Sequence, residues 1–275
     1  MRRTTALLAV ILLSAALLPG CVSNHRVSRT EVLQADHEAG TAINVHSRNG
    51  AITVVADAKR EDIRIESRLT CTGGSVKQAE ERLAAARVIV ERRDDRTLSV
   101  RAAFPDGGRS GDGAVFTIRM PEAVNATLRT SNGRIRANGL SGELSATTSN
   151  GPVVVEDHDG PADVHTSNGR IEVTGHKGAA NLNTSNGAVQ VRLHADSPGP
   201  LTVRSSNGSI RAAVGPAFGG TIDCDTSNGR IHVDGSDRAR IIHINRSDGY
   251  LVVGEDETPR SRLDTSNGSI TIELR

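Results

Sequence analysis

The tetrad Thr-Ser-Asn-Gly, or a near copy of it, recurs eight times along the second half of the chain at almost constant spacing. A self-similar period of this length is typical of a stacked repeat protein, in which each repeat buries its apolar face against its neighbours. The repeat therefore limits the fold class before composition is considered. The copies begin at Thr130, Thr148, Thr166, Thr184, Ser205, Thr226, Arg246 and Thr265, in steps of 18, 18, 18, 21, 21, 20 and 19 residues.

Residues on either side of each tetrad alternate between apolar and polar. The second and fourth residues after each glycine are apolar, as in Ile135 and Ala137. The second and fourth residues before each tetrad are apolar too, with the single exception of Ser261. Alternation with a period of two predicts strands that bury one face. Each repeat is thus expected to be strand–tetrad–strand, with a variable turn before the next repeat.

Two topologies fit this pattern: an antiparallel meander with Asn-Gly hairpins, or a parallel β-solenoid (β-helix) with rungs of 18–21 residues. A solenoid would place the tetrads in contact at strand spacing, where asparagine amides can form a hydrogen-bonded ladder. A meander gives no reason for identical turns. The sequence therefore favours an all-β solenoid, with glycine expected to supply a positive φ at each corner. The predicted ladder residues are Asn132, Asn150, Asn168, Asn186, Asn207, Asn228 and Asn267.

The N-terminus resembles a bacterial export signal. Two arginines precede the apolar run 6–18, which is too short for a membrane-spanning helix. The run ends in Leu-Pro-Gly-Cys, which resembles the lipobox of bacterial lipoproteins and implies acylation of Cys21. The alternative is a soluble secreted protein. We expect residues 1–20 to be a signal peptide and residues 21–38 a lipidated cysteine and polar tether. Val22, directly after the cysteine, indicates an outer-membrane lipoprotein of the cell envelope.

The segment before the repeats is less regular. Residues 39–127 are expected to form a β-rich cap on the solenoid of residues 128–275, with one helix at 75–86 that has a serine N-cap and an Ala- and Glu-rich interior. The C-terminus ends in an apolar alternation at 270–275 with no cap after it. Open edge strands invite pairing, so we expect this strand to support an end-to-end homodimer or docking of an envelope protein.

No residue pattern specifies a catalytic site, a metal or a cofactor. The loop Glu-Asp-His-Asp-Gly at 156–160 is rich in metal-ligand types, but the other repeats lack it, which favours a solvated turn. Carboxylates on one face would be needed for a β-helix lyase or esterase, and the candidates are Asp163, Asp223, Asp225 and Asp264. Cys71 and Cys224 either pair or stay free, and Cys224 falls at an inward strand position.

Charge distribution suggests one binding surface. Without the signal peptide the chain has 31 basic and 32 acidic residues, which gives no general attraction to nucleic acid. Outward positions after the glycines carry several arginines, and arginine suits contact with phosphate or carboxylate. A charged solvated face is the alternative interpretation. The candidate anion-binding residues are Arg134, Arg136, Arg170, Arg211 and Arg230.

The Thr-Ser-Asn-Gly-(Arg/Ser)-Ile units, together with the run PEAVNATLRTSNG at 121–133, resemble the bacterial putative-adhesin family of β-strand-repeat lipoproteins. The resemblance covers residues 40–275 and implies a β-helical envelope protein without defined catalytic residues; the tetrad at Arg246 departs from the consensus. The predicted function is a lipid-anchored, non-catalytic binding or adhesion scaffold for an anionic glycan or lipid headgroup. The alternatives are a structural or assembly component of the envelope that uses the open C-terminal edge, and a carbohydrate-active β-helix enzyme.

Overall fold

The computed structural model describes residues 12–15, 24–93, 96–255 and 258–275. It divides into two compact units, residues 1–133 and 134–275. Cys21, the predicted lipidation site, lies outside the described residues. None of the described helices has both the length and the apolar character that crossing a membrane requires.

The first unit contains nine strands and one α-helix among its described residues. Its strands form two sheets, in the orders β1-β2-β5-β8-β4 and β9-β3-β7-β6. The strands predicted within residues 39–127 and the helix predicted at 75–86 are confirmed. The bounds are Leu12–Ala15 (β1), His25–Asp36 (β2), Ala42–His46 (β3), Ile52–Ala56 (β4), Asp62–Gly73 (β5), Val76–Ala85 (α1), Arg87–Arg92 (β6), Thr97–Ala103 (β7), Gly113–Met120 (β8) and Val124–Asn132 (β9).

Most of the expected polar tether is instead a strand. β2 pairs antiparallel with β5 along its full length, from His25 opposite Gly73 to Asp36 opposite Asp62. Backbone hydrogen bonds between strands do not require apolar side chains, so a polar segment can extend a sheet that its neighbours already define. The composition of residues 22–38 carries no signal for this pairing.

A buried ion pair attaches α1 to the turn that precedes β8. The helix begins after Ser75, whose hydroxyl accepts a hydrogen bond from the Gln78 N–H. The Arg82 guanidinium on the helix lies 2.6 Å from the Asp112 carboxylate, and both side chains are almost fully buried. Burial opposes the charge of Asp112, but hydrogen bonds from the Arg109 and Thr72 N–H groups and from Arg82 lower the pKa of its carboxyl.

The second unit is built of two sheets whose strands alternate along the chain. Sheet A has the order β10-β12-β14-β16-β18-β24-β20, and sheet B has the order β11-β13-β15-β17-β23-β19-β22-β21. Strand bounds in sheet A are Ile135–Asn138 (β10), Val153–Glu156 (β12), Ile171–His176 (β14), Val189–Leu193 (β16), Ile210–Val214 (β18), Ile231–Asp234 (β20) and Ile270–Leu274 (β24). Those in sheet B are Ser141–Asn150 (β11), Ala162–Asn168 (β13), Ala180–Asn186 (β15), Leu201–Asn207 (β17), Gly220–Asn228 (β19), Ala239–Ile244 (β21), Asp248–Val253 (β22) and Arg260–Asn267 (β23).

Most neighbouring strands of the second unit are parallel and in register with the repeat. Val153 lies opposite Ile171, for example, and Asn150 lies opposite Asn168. The all-β, mostly parallel prediction is therefore confirmed, and the meander is wrong for the regular repeats. The predicted inward positions are buried: Ile171 and Val164 are both 0 % exposed. Side chains from sheets A and B thus form a core of small and medium apolar residues.

The C-terminal strand is not the open edge that the sequence indicated. β24 pairs in parallel with β18 on one side and with β20 on the other. β23 likewise lies between β17 and β19. The last repeat is thus inserted between two earlier ones, so the repeats do not stack in chain order. Within the described residues, the strands at this end of the two sheets are β20 and β21.

The tetrad that departs from the consensus forms a hairpin instead of a rung. β21 and β22 pair antiparallel, and the Asn245 N–H donates to the Asp248 carbonyl across the turn. β22 also pairs antiparallel with β19. Ile242, which the alternation places inside, is 51 % exposed. Arginine and aspartate replace the threonine and asparagine of the other tetrads, so this segment lacks the side chains that bond one tetrad to the next.

Candidate functional site

The asparagines of the tetrads meet in a column of side-chain hydrogen bonds. In the second unit each Asn Nδ2 donates to the Oδ1 of the neighbouring tetrad at 2.8–2.9 Å, and every bond has the same direction. The column runs Asn150, Asn168, Asn186, Asn207, Asn267, Asn228. In the first unit, Asn132 donates in the same way to Asn49 at 2.7 Å. The column places a row of exposed amides at strand spacing along the turns.

Threonine and glycine of the tetrad have separate structural roles. The buried Thr184 hydroxyl donates to the Gly169 carbonyl of the neighbouring tetrad at 2.9 Å. The expectation that these glycines adopt positive φ is wrong: the tetrad glycines 169, 187 and 208 are not among the residues with positive φ. They are required because a Cβ on Gly187 would lie 2.0 Å from the Gly169 carbonyl oxygen. Backbone proximity between tetrads, not backbone conformation, selects glycine here.

The five predicted anion-binding arginines lie on sheet A or next to it, and three of them lie beside a glutamate. Arg136 Nε and Nη2 both donate to Glu156, at 2.9 and 2.7 Å. Arg170 and Arg211 each lie 3.7 Å from a glutamate, Glu172 and Glu273 respectively. The other two predicted residues, Arg134 and Arg230, are exposed. The five residues therefore do not form one uninterrupted cationic surface.

The side chains of the acidic loop at 156–160 diverge. Hydrogen bonds from Asn138 and Arg136 lower the pKa of Glu156. His158 points inward, is 1 % exposed and stacks on His176 with ring centroids 5.4 Å apart, so the expected solvated turn is wrong for this residue. Burial, and then the neighbouring His158, lower the pKa of His176. Within the described part of the chain, no group of three or more His, Cys, Asp or Glu side chains is arranged to hold a metal ion.

Both described cysteines are free and buried. Burial raises the pKa of the Cys224 thiol to about 12 and that of the Cys71 thiol to about 11, with nearby aspartates adding to the effect. A thiol with so high a pKa is a poor nucleophile at neutral pH. Cys224 therefore acts as a small core residue, as its inward position predicted.

The outer face of sheet B carries a group of charged and polar side chains around Tyr250. We call it the Tyr250 face. Strands β17, β23, β19, β22 and β21 lie side by side here, and their register forms two rows. One row contains Arg262, Asp223, Tyr250 and His243, and the other contains Arg204, Asp264, Asp225 and Asp248. Two adjoining shallow concavities of about 400 and 370 Å³ are lined by these residues.

Ion pairs hold part of the Tyr250 face in place. Arg262 Nε donates to Asp264 Oδ2 at 2.6 Å, and Arg204 lies 3.7 Å from the same oxygen. The other oxygen of Asp264, Oδ1, is buried and has no hydrogen-bond partner among the described residues. Hydrogen bonds from Asn245 and His243 lower the pKa of Asp248. These contacts fix the orientation of the residues that surround Tyr250.

Two carboxylates on this face are exposed and unpaired. Asp223 and Asp225 form no ion pair or side-chain hydrogen bond within the described residues. Asp223 lies directly opposite Tyr250, and Asp225 lies directly opposite Asp264 and Asp248. The face thus offers free hydrogen-bond acceptors beside one aromatic ring.

The sequence identified the acids of this face but not their neighbours. Asp223, Asp225 and Asp264 were candidates because they point outward. Arg262 and Tyr250 were missed as site residues because β23 and β22 become neighbours of β19 only through the inserted repeat and the hairpin. Asp163 lies farther along sheet B, where it accepts a hydrogen bond from Asn181.

No protein-family model matches the chain, and no curated protein matches it. Several solved structures are similar to it, including three bacterial proteins. A putative cell adhesion protein from Clostridium sporogenes has 12 % identity and a TM-score of 0.35, with 90 % of this chain and 100 % of that one covered. A putative adhesin from Bacteroides fragilis has 12 % identity and a TM-score of 0.39, covering 92 % and 99 %. A putative adhesin from Parabacteroides distasonis has 14 % identity and a TM-score of 0.33, covering 90 % and 97 %.

Proposed function

We propose that this protein is a lipid-anchored, non-catalytic binding scaffold of the cell envelope, built as a β-solenoid, that holds a glycan on the Tyr250 face. The observation that carries the proposal is the position of Tyr250 between His243 and the unpaired carboxylate of Asp223. Of the four aromatic residues of the whole chain, Phe116 and Phe218 are buried. Tyr250 is the aromatic residue on the outer face of the second unit.

The chemistry of this face suits a polyhydroxylated ligand. Sugar rings combine hydroxyl donors at their edge with apolar C–H groups on their faces. The unpaired carboxylates can accept hydroxyl hydrogen bonds, and the Tyr250 ring provides an apolar surface with a polar tip. Arg262 and Arg204 supply donors to hydroxyl oxygens. The four aspartates would repel phosphate or carboxylate groups, so a neutral or amino sugar is favoured here.

The arginines near sheet A remain a second candidate, for an anionic glycan or lipid headgroup. Arg134 and Arg230 favour it, because neither forms an ion pair within the described residues. Glu156, Glu172 and Glu273 oppose it by engaging the other three arginines. An envelope assembly role loses its main support, since the C-terminal strand is paired on both sides.

Glycan binding by the intact protein separates these alternatives. The probes are immobilised neutral, amino and acidic oligosaccharides, at about 0.05 M and about 0.5 M salt, where screening differs strongly. We expect capture of neutral or amino sugars, and a loss of about tenfold in affinity for Tyr250→Ala and for Asp223→Asn/Asp225→Asn, equivalent to about 1.4 kcal/mol. The matched control is Arg134→Ser/Arg170→Ser/Arg230→Ser, which should bind as the wild type does.

Two outcomes would replace the proposal. Capture of acidic glycans only, removed by high salt and by the triple arginine variant, would move binding to the arginines near sheet A. Release of new reducing ends that Asp225→Asn abolishes would show the carbohydrate-active enzyme instead. The anchor is tested separately: labelled fatty acid should be incorporated into the wild type and not into Cys21→Ser.

A further inference from the structure

The column of tetrads ends at Asn228. Between inner tetrads the glycine N–H donates in one direction. The Gly187 N–H donates to the Asn207 carbonyl at 3.1 Å, and in the next tetrad the Gly208 N–H donates to the Asn267 carbonyl at 3.0 Å. Asn228 lies opposite Asn267 and is the last asparagine in this direction. The tetrad that follows it along the chain forms the β21–β22 hairpin, so no tetrad carbonyl follows Asn228 within the described residues.

Two backbone N–H groups at this end are open as a result. Gly229 has the position that Gly187 has in its own tetrad, and its N–H donates to no described residue. A second N–H, two residues after each glycine, donates in the same direction, as Ile270 does to the Arg230 carbonyl at 2.9 Å. The equivalent residue of the last repeat is Ile231, opposite Ile270, so its N–H points away from β24. Open N–H groups at the edge of a sheet favour an anion.

The turn of the hairpin and the last tetrad enclose a shallow concavity of about 610 Å³. The Thr226 N–H donates to the Ser247 carbonyl at 2.7 Å, which holds the turn beside the tetrad. We call this site the Arg230/Arg246 concavity, and it is lined by Ser227, Asn228, Gly229, Arg230, Arg246, Ser247 and Ser269. None of these residues is acidic. Asp248 follows Ser247, but its carboxylate is hydrogen-bonded to His243 and Asn245.

Arg230 and Arg246 supply positive charge to this concavity. Both are exposed, and neither forms an ion pair or a side-chain hydrogen bond with a described residue. Arg136, Arg170 and Arg211 differ in this respect, because each lies beside a glutamate. Arg246 has the position that threonine has in the consensus tetrad. Guanidinium groups suit contact with the oxygens of a phosphate.

The asparagine column adds one acceptor at the same end. Asn228 Nδ2 donates to Asn267 Oδ1 at 2.9 Å, whereas Asn228 Oδ1 accepts no hydrogen bond from a described residue. The hydroxyls of Ser227 and Ser269 can donate or accept. The concavity therefore suits a ligand that has several acceptor oxygens and one hydroxyl donor. A phosphate group fits, because its own P–OH or a hydroxyl of its ester part can donate to Asn228.

We propose that the Arg230/Arg246 concavity binds a phosphate group, as the free ion or as a phosphomonoester. The phosphate oxygens take the place of the tetrad carbonyls that Gly229 and Ile231 lack, and the two guanidinium groups neutralise the charge. None of the charged or aromatic residues of the Tyr250 face lines this concavity, so the proposal does not depend on glycan binding there.

Titration of the intact protein, in a non-ionic detergent, with inorganic phosphate tests the proposal. Heteronuclear NMR of the glycine and isoleucine amides should show saturable shifts of the Gly229 and Ile231 signals, because their N–H groups bond to the phosphate. Arg230→Gln and Arg246→Gln should each weaken binding about tenfold, through the loss of one hydrogen bond to a charged group. Shifts that do not saturate overturn the proposal, as does binding that Arg230→Gln/Arg246→Gln leaves unchanged.

The matched control is Arg134→Gln, which should bind phosphate as the wild type does. Arg134 is also an exposed arginine after a tetrad glycine, but the Ile135 N–H beside it is already donated to the Pro152 carbonyl at 3.0 Å. Tyr250→Ala should likewise leave phosphate binding unchanged, which separates this site from the glycan site. A tenfold loss of phosphate binding in either control would overturn the proposal.

Two further probes identify the chemistry and the source of the ligand. Sulfate has the oxygens of phosphate but no hydroxyl at neutral pH, so it should bind at least about tenfold more weakly; equal binding of sulfate overturns the proposal. We expect glycerol 3-phosphate to bind at least as tightly as inorganic phosphate, since the concavity is open and glycerol adds hydroxyl donors. That result supports a phosphomonoester headgroup as the source, whereas tighter binding of inorganic phosphate supports the free ion at the same site.

Discussion

Replacing the tetrad glycine in the middle of the second unit should destabilise the protein severely. In Gly187→Ala, the new Cβ would lie 2.0 Å from the Gly169 carbonyl oxygen, whereas ordinary contact begins at 3.4 Å. The atoms near it are all backbone, so no flexible side chain can move aside. The two tetrads must therefore separate by about 1.4 Å along this contact.

That separation breaks bonds that hold adjacent tetrads together. The Thr184 hydroxyl lies 2.9 Å from the Gly169 carbonyl oxygen, and Asn186 Nδ2 lies 2.9 Å from Asn168 Oδ1. Both distances would exceed the range of a hydrogen bond. Two lost hydrogen bonds at about 1 kcal/mol each, plus displaced backbone, give a loss of about 3–5 kcal/mol in the free energy of unfolding.

Urea unfolding followed by far-UV circular dichroism measures this loss. Ser185→Ala, in the same tetrad, is the matched control because Ser185 is exposed; its change should stay within about 0.5 kcal/mol. A loss below about 1 kcal/mol for Gly187→Ala would refute the steric argument. It would mean that adjacent tetrads can separate without breaking their side-chain bonds.

Three further predictions concern buried groups. Asp112→Asn removes the buried counter-charge of Arg82 and leaves only its contact with the exposed Asp106 at 3.1 Å. It should cost about 3 kcal/mol in urea unfolding, and a change under about 1 kcal/mol would contradict the buried pair. The pKa of His176 is lowered in the folded protein, so the contribution of its neutral ring to folding stability is fully present above about pH 6.5 and is lost as the pH falls. The melting temperature of His176→Leu should therefore depend less on acid pH than that of the wild type. An equal pH dependence would exclude His176 as the source of the acid destabilisation. The Cys224 thiol should resist a disulfide reagent at about pH 8 in the folded protein and react in urea, whereas rapid labelling of the folded protein would show that it is not buried.

The strand pattern could be predicted from sequence because apolar burial and hydrogen bonding between tetrads recur in every regular repeat. Alternation identified Ile171 and Val164 as buried, and identical tetrads indicated parallel pairing. The order of the repeats in the sheets could not be predicted, because repeats that are so alike can each lie beside several others. Because the consensus tetrads share the same bonding groups, the tetrad at Thr265 can lie between those at Ser205 and Thr226, although they are not its neighbours in chain order. Local patterns do not distinguish these neighbours.

The candidate site depends on that order. Asp223 and Asp225 point outward by alternation alone, but Arg262 joins them only because β23 is inserted beside β19. Tyr250 joins them because β22 runs antiparallel to β19. Arg246 and Asp248 remove the side chains that bond one tetrad to the next, and this segment forms a hairpin instead of parallel strands. The sequence shows that Arg246 and Asp248 replace the consensus residues, but it does not show that the strands beside them run antiparallel.

The inserted C-terminal repeat has a consequence for how the chain is made. Residues 220–234 are synthesised well before residues 260–274, yet their neighbours in both sheets include β23 and β24. β17 and β18 likewise lack one neighbouring strand each until β23 and β24 have been synthesised. The second unit therefore cannot finish folding rung by rung as it is delivered. Its last segment completes two sheets at once, so the final strands to arrive join the earlier repeats to the hairpin end.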